Sequence, residues 1–225
     1  MRGDVVGGLL NQEAKDYLLC LHNEVRSEVA LGASLGDGGT LPVATDMRRL
    51  RWDTQLEDVA QDYANRCIWA HNGDRTNQYN TLNPTDLNDQ PASRNIYAGE
   101  NLAAAYDSRR TSMELVIRGF NGLRNEGPDW TFGTIQGTGR CSGEQCGHFT
   151  QLVWAETYKV GCAVNTCPAG SIFGSAPSTY LVCNYAVGGN FVGRAPYKTG
   201  STPDDVCSEA TAGQSRCLNG LTHSD

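Results

Sequence analysis

Nine cysteines in 225 residues constrain this chain more than any other feature. None stands in a zinc-finger spacing, so they point to disulfides and to an oxidising compartment. Nine is odd, so at least one thiol is unpaired or pairs between chains. Spacing alone leaves the connectivity open. The length suits one large domain with a short appendage, and an apolar content of 39% is enough for a core. Nowhere is there an apolar run long enough to span a bilayer. The net charge of -7 argues against a nucleic-acid surface, and no basic run contradicts that. The first residues lack the apolar core and small-residue cleavage site of a signal peptide. If the chain is secreted, the expectation is that its signal has been removed.

The densest chemistry lies in Cys146-Gly147-His148-Phe149-Thr150-Gln151-Leu152-Val153-Trp154 and Val160-Gly161-Cys162-Ala163. Phe149, Leu152 and Val153 recur at helical spacing, so one face can be buried while His148 stays at the edge of the turn. Gly147 allows close backbone approach at the helix entrance. By residue type alone, His148 reads as a structural hydrogen-bonding group or as a ligand.

In chain order, Asn11 to about Leu35 reads as a helix capped by Asn11, with Leu18, Leu21, Val25 and Val29 as its stripe. Residues 32–45 form a glycine-rich turn region. Asp53 is a candidate cap for a second helix with Leu56, Val59, Ala60 and Tyr63 inward, running to Cys67 and His71. The polar stretch 72–94 reads as a long surface loop. Ser108 to Glu126 reads as a third helix anchored by Met113, Leu115, Val116 and Phe120. Lys159 to Asn165 and Thr179 to Tyr185 alternate as strands.

The segment GHFTQLVW at 147–154, with Tyr180-Leu-Val-Cys-Asn-Tyr185 and Gly189-Asn190-Phe191, resembles the two signature motifs of the CAP superfamily. These are the cysteine-rich secretory, antigen-5 and plant pathogenesis-related proteins. Further elements follow the family's order: His22-Asn23-Glu24-Val25-Arg26, the cysteine-then-histidine of Cys67 and His71, Gly99-Glu100-Asn101-Leu102, and the closing Pro196-Tyr197-Lys198-Thr199-Gly200. The resemblance departs at Val187, where the second signature usually has Pro, Ala, Arg or His. It also departs at Leu123, which takes a tryptophan position three residues before Glu126.

The resemblance implies an α+β fold, a three-layer α-β-α sandwich with a small, mostly antiparallel sheet. Its CAP domain would span 11–199, with a short hinge-like tail at 200–225. It implies bridges Cys67–Cys167, Cys162–Cys183, Cys141–Cys146 and, in the tail, Cys207–Cys217. Cys20 is then the leftover free thiol, either inert and buried or used between chains. It implies a cavity of His71, Glu100, Glu126 and His148. His71 and His148 would be metal ligands, and Glu100 and Glu126 would hydrogen-bond the other ring nitrogens or a bound water.

Zinc or another divalent cation suits two neutral imidazoles, with no cofactor obligatory. The same four residues could do general acid–base catalysis, or form a buried polar network. Neither a Gly-x-Ser-x-Gly elbow nor a His-Glu-x-x-His helix is present. The expected function is that of a secreted, venom allergen-like binding protein, monomer or weak dimer. Its ligand would be an extracellular protein, such as an immune partner, or a lipid such as a sterol. A metal-assisted hydrolase, a protease above all, is the alternative.

Overall fold

The computed structural model describes residues 5–6, 9–32, 40–82, 96–107, 109–110 and 112–200. Strands β1 (Val5–Val6) and β2 (Leu9–Leu10) pair antiparallel. After them come helix α1 (Gln12–Ala30), β3 (Arg51–Trp52), α2 (Thr54–Asn65), α3 (Arg75–Leu82) and β4 (Gly99–Ala105). Helix α4 (Ser112–Arg124), the short pair β5 (Trp130–Thr131) and β6 (Arg140–Cys141), helix α5 (Gly147–Leu152), β7 (Lys159–Cys167) and β8 (Ser178–Ala186) complete the fold.

The central sheet runs β3-β7-β8-β4, with β3 parallel to β7 and the other pairs antiparallel. Both faces of β8 are buried because alternate residues serve opposite layers. Leu181, Cys183 and Tyr185 join the cluster that holds Leu18 and Val25 of α1, Val116 and Phe120 of α4 and Phe149 and Leu152 of α5. Tyr180 and Val182 pack with Ala60 and Tyr63 of α2, and Ala186 with Leu56, Val59 and Tyr79. This is the α-β-α sandwich, with α1, α4 and α5 on one face and α2 and α3 on the other. At Gly161 a β-carbon would lie 2.2 Å from the Glu57 nitrogen and 2.5 Å from the Asp53 oxygen. Only glycine lets the first turn of α2 sit directly on β7.

Side-chain caps begin two helices: Asn11 Oδ1 accepts from Ala14 N at 2.8 Å, and Asp53 Oδ1 from Leu56 N at 2.9 Å. Four sequence readings need correction. Helix α1 stops at Ala30, with Gly32 at φ +73°, short of Leu35. Helix α2 ends at Asn65, since Cys67 turns left-handed at φ +52°. Helix α4 spans Ser112–Arg124, inside the 108–126 expected.

The fourth correction is α3, which occupies 75–82 of what read as loop. Its sequence shows no apolar stripe, only Tyr79 buried, and side-chain bonds support it instead. Asn72 Oδ1 accepts from Asp74 N, while Asn80 both donates to Ile96 O and accepts from Ile96 N.

Disulfides join Cys67–Cys167, Cys141–Cys146 and Cys162–Cys183. Cys20 is also disulfide-bonded, which overturns its reading as the free thiol. The six other described cysteines pair among themselves. The expected Cys207–Cys217 bridge and the tail at 201–225 lie outside the described residues.

Candidate functional site

Helix α1 prepares the ground with three buried polar residues one face apart: His22, Asn23 and Arg26. Arg26 spends all five guanidinium N–H groups on backbone carbonyls. Nε donates to Arg48 O at 2.7 Å, and Nη1 to Leu152 O at 2.8 Å and Trp154 O at 2.9 Å. Nη2 donates to Thr157 O at 3.0 Å and Ala155 O at 3.4 Å. Burial draws this guanidinium down to about 9, still charged at neutral pH. No carboxylate among the described residues forms an ion pair with it; carbonyl dipoles hold the charge, with the more distant Asp46 carboxylate also favouring it. Four of the five carbonyls, those of Leu152, Trp154, Ala155 and Thr157, come from the C-terminal end of α5 and the turn beyond, and they fix the helix that bears His148.

His22 continues the network. Its Nδ1 lies 2.7 Å from Leu18 O and its Nε2 3.0 Å from Tyr185 Oη. The carbonyl can only accept, so Nδ1 carries the proton and Tyr185 donates to Nε2. Asn101 Nδ2 then donates to Tyr185 Oη at 3.2 Å and to His148 O at 3.0 Å. A chain of polar contacts thus runs from α1 through the sheet to α5. Burial, with the Arg26 charge adding, pulls His22 down to about 4, so it is neutral here. His22 also lies with Cys162 and Cys183 as the group of three whose ligand atoms fall within 4.8 Å, among the described residues. Those sulfurs are bonded to each other. They offer no thiolate, so this trio has no metal-binding capacity.

His71, Glu100, Glu126 and His148 form two matching His–Glu pairs. Glu126 Oε1 lies 2.6 Å from His148 Nδ1, while its Oε2 accepts from the backbone N–H groups of His148 at 3.0 Å and Phe149 at 3.1 Å. Cys146 gives α5 no side-chain cap; the Glu126 carboxylate does that work from the end of α4. Glu100, on β4, repeats the pattern. Its Oε1 lies 2.8 Å from His71 Nδ1 and accepts from Asn72 N at 2.9 Å, and its Oε2 accepts from Asn184 Nδ2 at 3.4 Å.

Each carboxylate therefore takes an Nδ1–H and a backbone N–H, which leaves each Nε2 with its lone pair outward. No described residue hydrogen-bonds either Nε2. The pairs differ in exposure: the His71 side chain is 56% exposed and that of His148 18%. Among the described residues the two pairs do not join into a group of three ligand atoms within 4.8 Å of one another.

The segment carrying His71 is held tightly. Tyr63 Oη donates to Ala70 O at 2.6 Å and Tyr180 Oη to Ile68 O at 3.0 Å. Burial first, then the Glu100 charge, push both phenols up, so they stay donors. Nucleophile candidates are occupied. Thr150 Oγ1 lies 2.7 Å from Asn190 Oδ1, Ser142 Oγ 3.1 Å from Asp129 Oδ1, and Cys146 is oxidised. Sequence reasoning missed the role of Asn101, the link between the two halves of this network, although it lies beside Glu100 in the GENL element. Two adjacent polar residues, Glu100 and Asn101, opening a strand that is apolar from Leu102 onward were the available signal.

Fold, disulfides and paired His–Glu constellation define one class. The sequence pattern described as CAP, the cysteine-rich secretory protein family, matches residues 19–185, and the chain belongs to that family. It is 33% identical over 219 residues to cysteine-rich secretory protein LCCL domain-containing 2 of Homo sapiens, covering 94% of this chain and 37% of that protein. It is 31% identical over 223 residues to peptidase inhibitor 15 of Homo sapiens, covering 95% of this chain and 73% of that protein. Among solved structures it is similar to NaASP2 with Zn2+, at 27% identity and a TM-score of 0.65, covering 89% of this chain and 91% of that one. No described helix is long and apolar enough to cross a membrane.

Proposed function

We propose that the chain is a secreted extracellular binding protein whose His71 and His148 hold one divalent cation, zinc being the natural candidate. The carrying observation is that Glu100 and Glu126 each engage an Nδ1, at 2.8 Å and 2.6 Å, and so present each Nε2 as an acceptor. The similarity to NaASP2, whose solved structure is one with Zn2+, supports the choice of ion. When bound, the ion would supply positive charge and open coordination positions for a ligand oxygen. His71 and His148 would hold it; Glu100 and Glu126 would fix their tautomers and raise their basicity. Two imidazoles make a weaker site than three or four ligands, so binding is reversible and falls as acid protonates the rings. The ligand is a protein or a lipid, and the relatives named peptidase inhibitor 15 favour a protein.

Calorimetric titration with zinc chloride at neutral and mildly acidic pH tests this, on the wild type and on His71→Ala/His148→Ala. Micromolar binding that disappears in the variant and weakens in acid is expected. A folded wild type that takes up no zinc would remove the metal reading.

A further inference from the structure

The chain carries 18 Lys and Arg against 25 Asp and Glu, yet one stretch runs against that balance. Met47-Arg48-Arg49-Leu50-Arg51-Trp52 places three arginines in four residues, and all three are exposed. Met47 and Leu50, at 4% and 2% exposure, anchor the stretch inward. Its backbone is held from below by Asn23 and Arg26, buried residues of α1. Asn23 Nδ2 donates to Leu50 O at 3.1 Å, and Asn23 Oδ1 accepts from Leu50 N at 2.7 Å. Arg26 Nε donates to Arg48 O at 2.7 Å, and Arg51 N donates to Tyr158 O at 3.0 Å. The stretch runs into β3, at the edge of the sheet.

The side chains are gathered too. The guanidinium carbons of Arg48 and Arg51 lie 5.7 Å and 5.4 Å from the centre of the same Tyr158 ring. The neighbouring carboxylates have other partners: Asp53 pairs with Lys159, Glu57 with Lys15, Glu156 with Arg194, and Asp46 faces Lys198. Among the described residues, none forms an ion pair with Arg48 or Arg49.

We propose that Arg48 and Arg49, with Arg51 beside them on the same stretch, form a docking ribbon for a sulfated polysaccharide of the glycosaminoglycan class. A guanidinium fork matches the oxyanions of a sulfate group, and the forks of Arg48 and Arg49 on a pinned backbone engage a polyanion with little ordering cost. Short arginine-rich stretches of this kind read as heparin-type patches. A membrane fits less well. Met47 and Leu50 point inward, and the half-buried Trp52 donates its indole N–H to Glu57 at 2.7 Å, so a bilayer would meet charge without an apolar anchor. The proposal does not depend on the metal site.

Surface plasmon resonance on immobilised heparin tests it, comparing the wild type with Arg48→Ser/Arg49→Ser. A second double variant, Arg109→Ser/Arg110→Ser, removes the same charge from an exposed site around Asp107. The ribbon variant is expected to bind at least about tenfold more weakly, the control within about twofold. The wild-type dissociation constant should rise with salt at a log–log slope of about 2–3. Arg49→Glu alone, at a side chain that is exposed and in no ion pair among the described residues, should reproduce the loss with an unchanged melting temperature.

No retention of wild type at about 100 mM salt would overturn the proposal, as would equal losses in the two double variants. So would equal binding to fully desulfated heparin. Tighter binding to phosphatidylcholine vesicles containing about one quarter phosphatidylserine would assign the ribbon to membranes instead.

Discussion

Arg26→Met deletes a buried charge and keeps most of the side chain's volume, so it isolates what the guanidinium does. Four carbonyls within 3.0 Å, those of Arg48, Leu152, Trp154 and Thr157, lose their donor. Each bond to a charged donor contributes about 1.5–3 kcal/mol, and the desolvation of the guanidinium offsets several kcal/mol of the total. Apolar replacement removes that desolvation cost but strands the carbonyls. Each costs about 1–3 kcal/mol unless water reaches it, and the enclosed setting of Arg26, at 1% exposure, limits water. The net expectation is a loss of about 3–5 kcal/mol, comparable to breaking a buried ion pair.

Arg26→Lys keeps the charge but offers three donors in place of five, and should lose about 2 kcal/mol. Urea unfolding at neutral pH reads both values from the shift in midpoint at constant slope. Amide exchange should rise over 153–157, the turn that Arg26 secures. A loss below about 1 kcal/mol for Arg26→Met, with exchange unchanged, would refute the view that this arginine organises the turn.

The buried histidine gives a second expectation. His22 has a folded pKa of about 4 against the ordinary histidine value of 6.5, so the unfolded chain takes the proton first as pH falls. Stability is full above about pH 6.5 and is lost by about 3 kcal/mol as pH drops towards 4. The His22 ring signals in NMR should not titrate between pH 8 and 5; titration there would contradict its neutrality. Glu126→Ala removes the cap of α5 and the partner of His148. It should cost about 1–2 kcal/mol and weaken zinc binding about 10–100-fold, by urea unfolding and calorimetry respectively. Gly161→Ala drives a methyl group into the first turn of α2, and should destabilise by about 1–3 kcal/mol or more. Alkylation without reduction, followed by peptide mass spectrometry, should leave the Cys20 peptide unlabelled; labelling there would contradict its disulfide.

Where a local signal existed, the sequence disclosed the structure. Asn11 and Asp53 are caps that bond their helices three residues on, and the apolar stripe of α1 is readable because Leu18, Val25 and Val29 recur on one buried face. Strand β4 gave no alternation, since Gly99–Ala105 is buried on both faces and its polar residues, Glu100 and Asn101, stand side by side. Helix α3 gave no stripe because Tyr79 alone packs inward and the side chains of Asn72 and Asn80 hold the rest.

The pairing of His71 with Glu100 and His148 with Glu126 is not local at all. It depends on β4 lying beside β8 and on α4 ending against α5, and only the family resemblance brought the four residues together beforehand. The state of Cys20 was misjudged by arithmetic. An odd cysteine count says that one thiol is left over, and nothing in it says which.

The most direct test of the two-histidine site is a crystal soaked in zinc, measured on both sides of the zinc absorption edge. One anomalous peak is expected at about 2.0–2.1 Å from Nε2 of both His71 and His148, with Glu100 and Glu126 still on the Nδ1 atoms. A peak held by one histidine alone or by surface carboxylates, or no peak at all, would contradict the site.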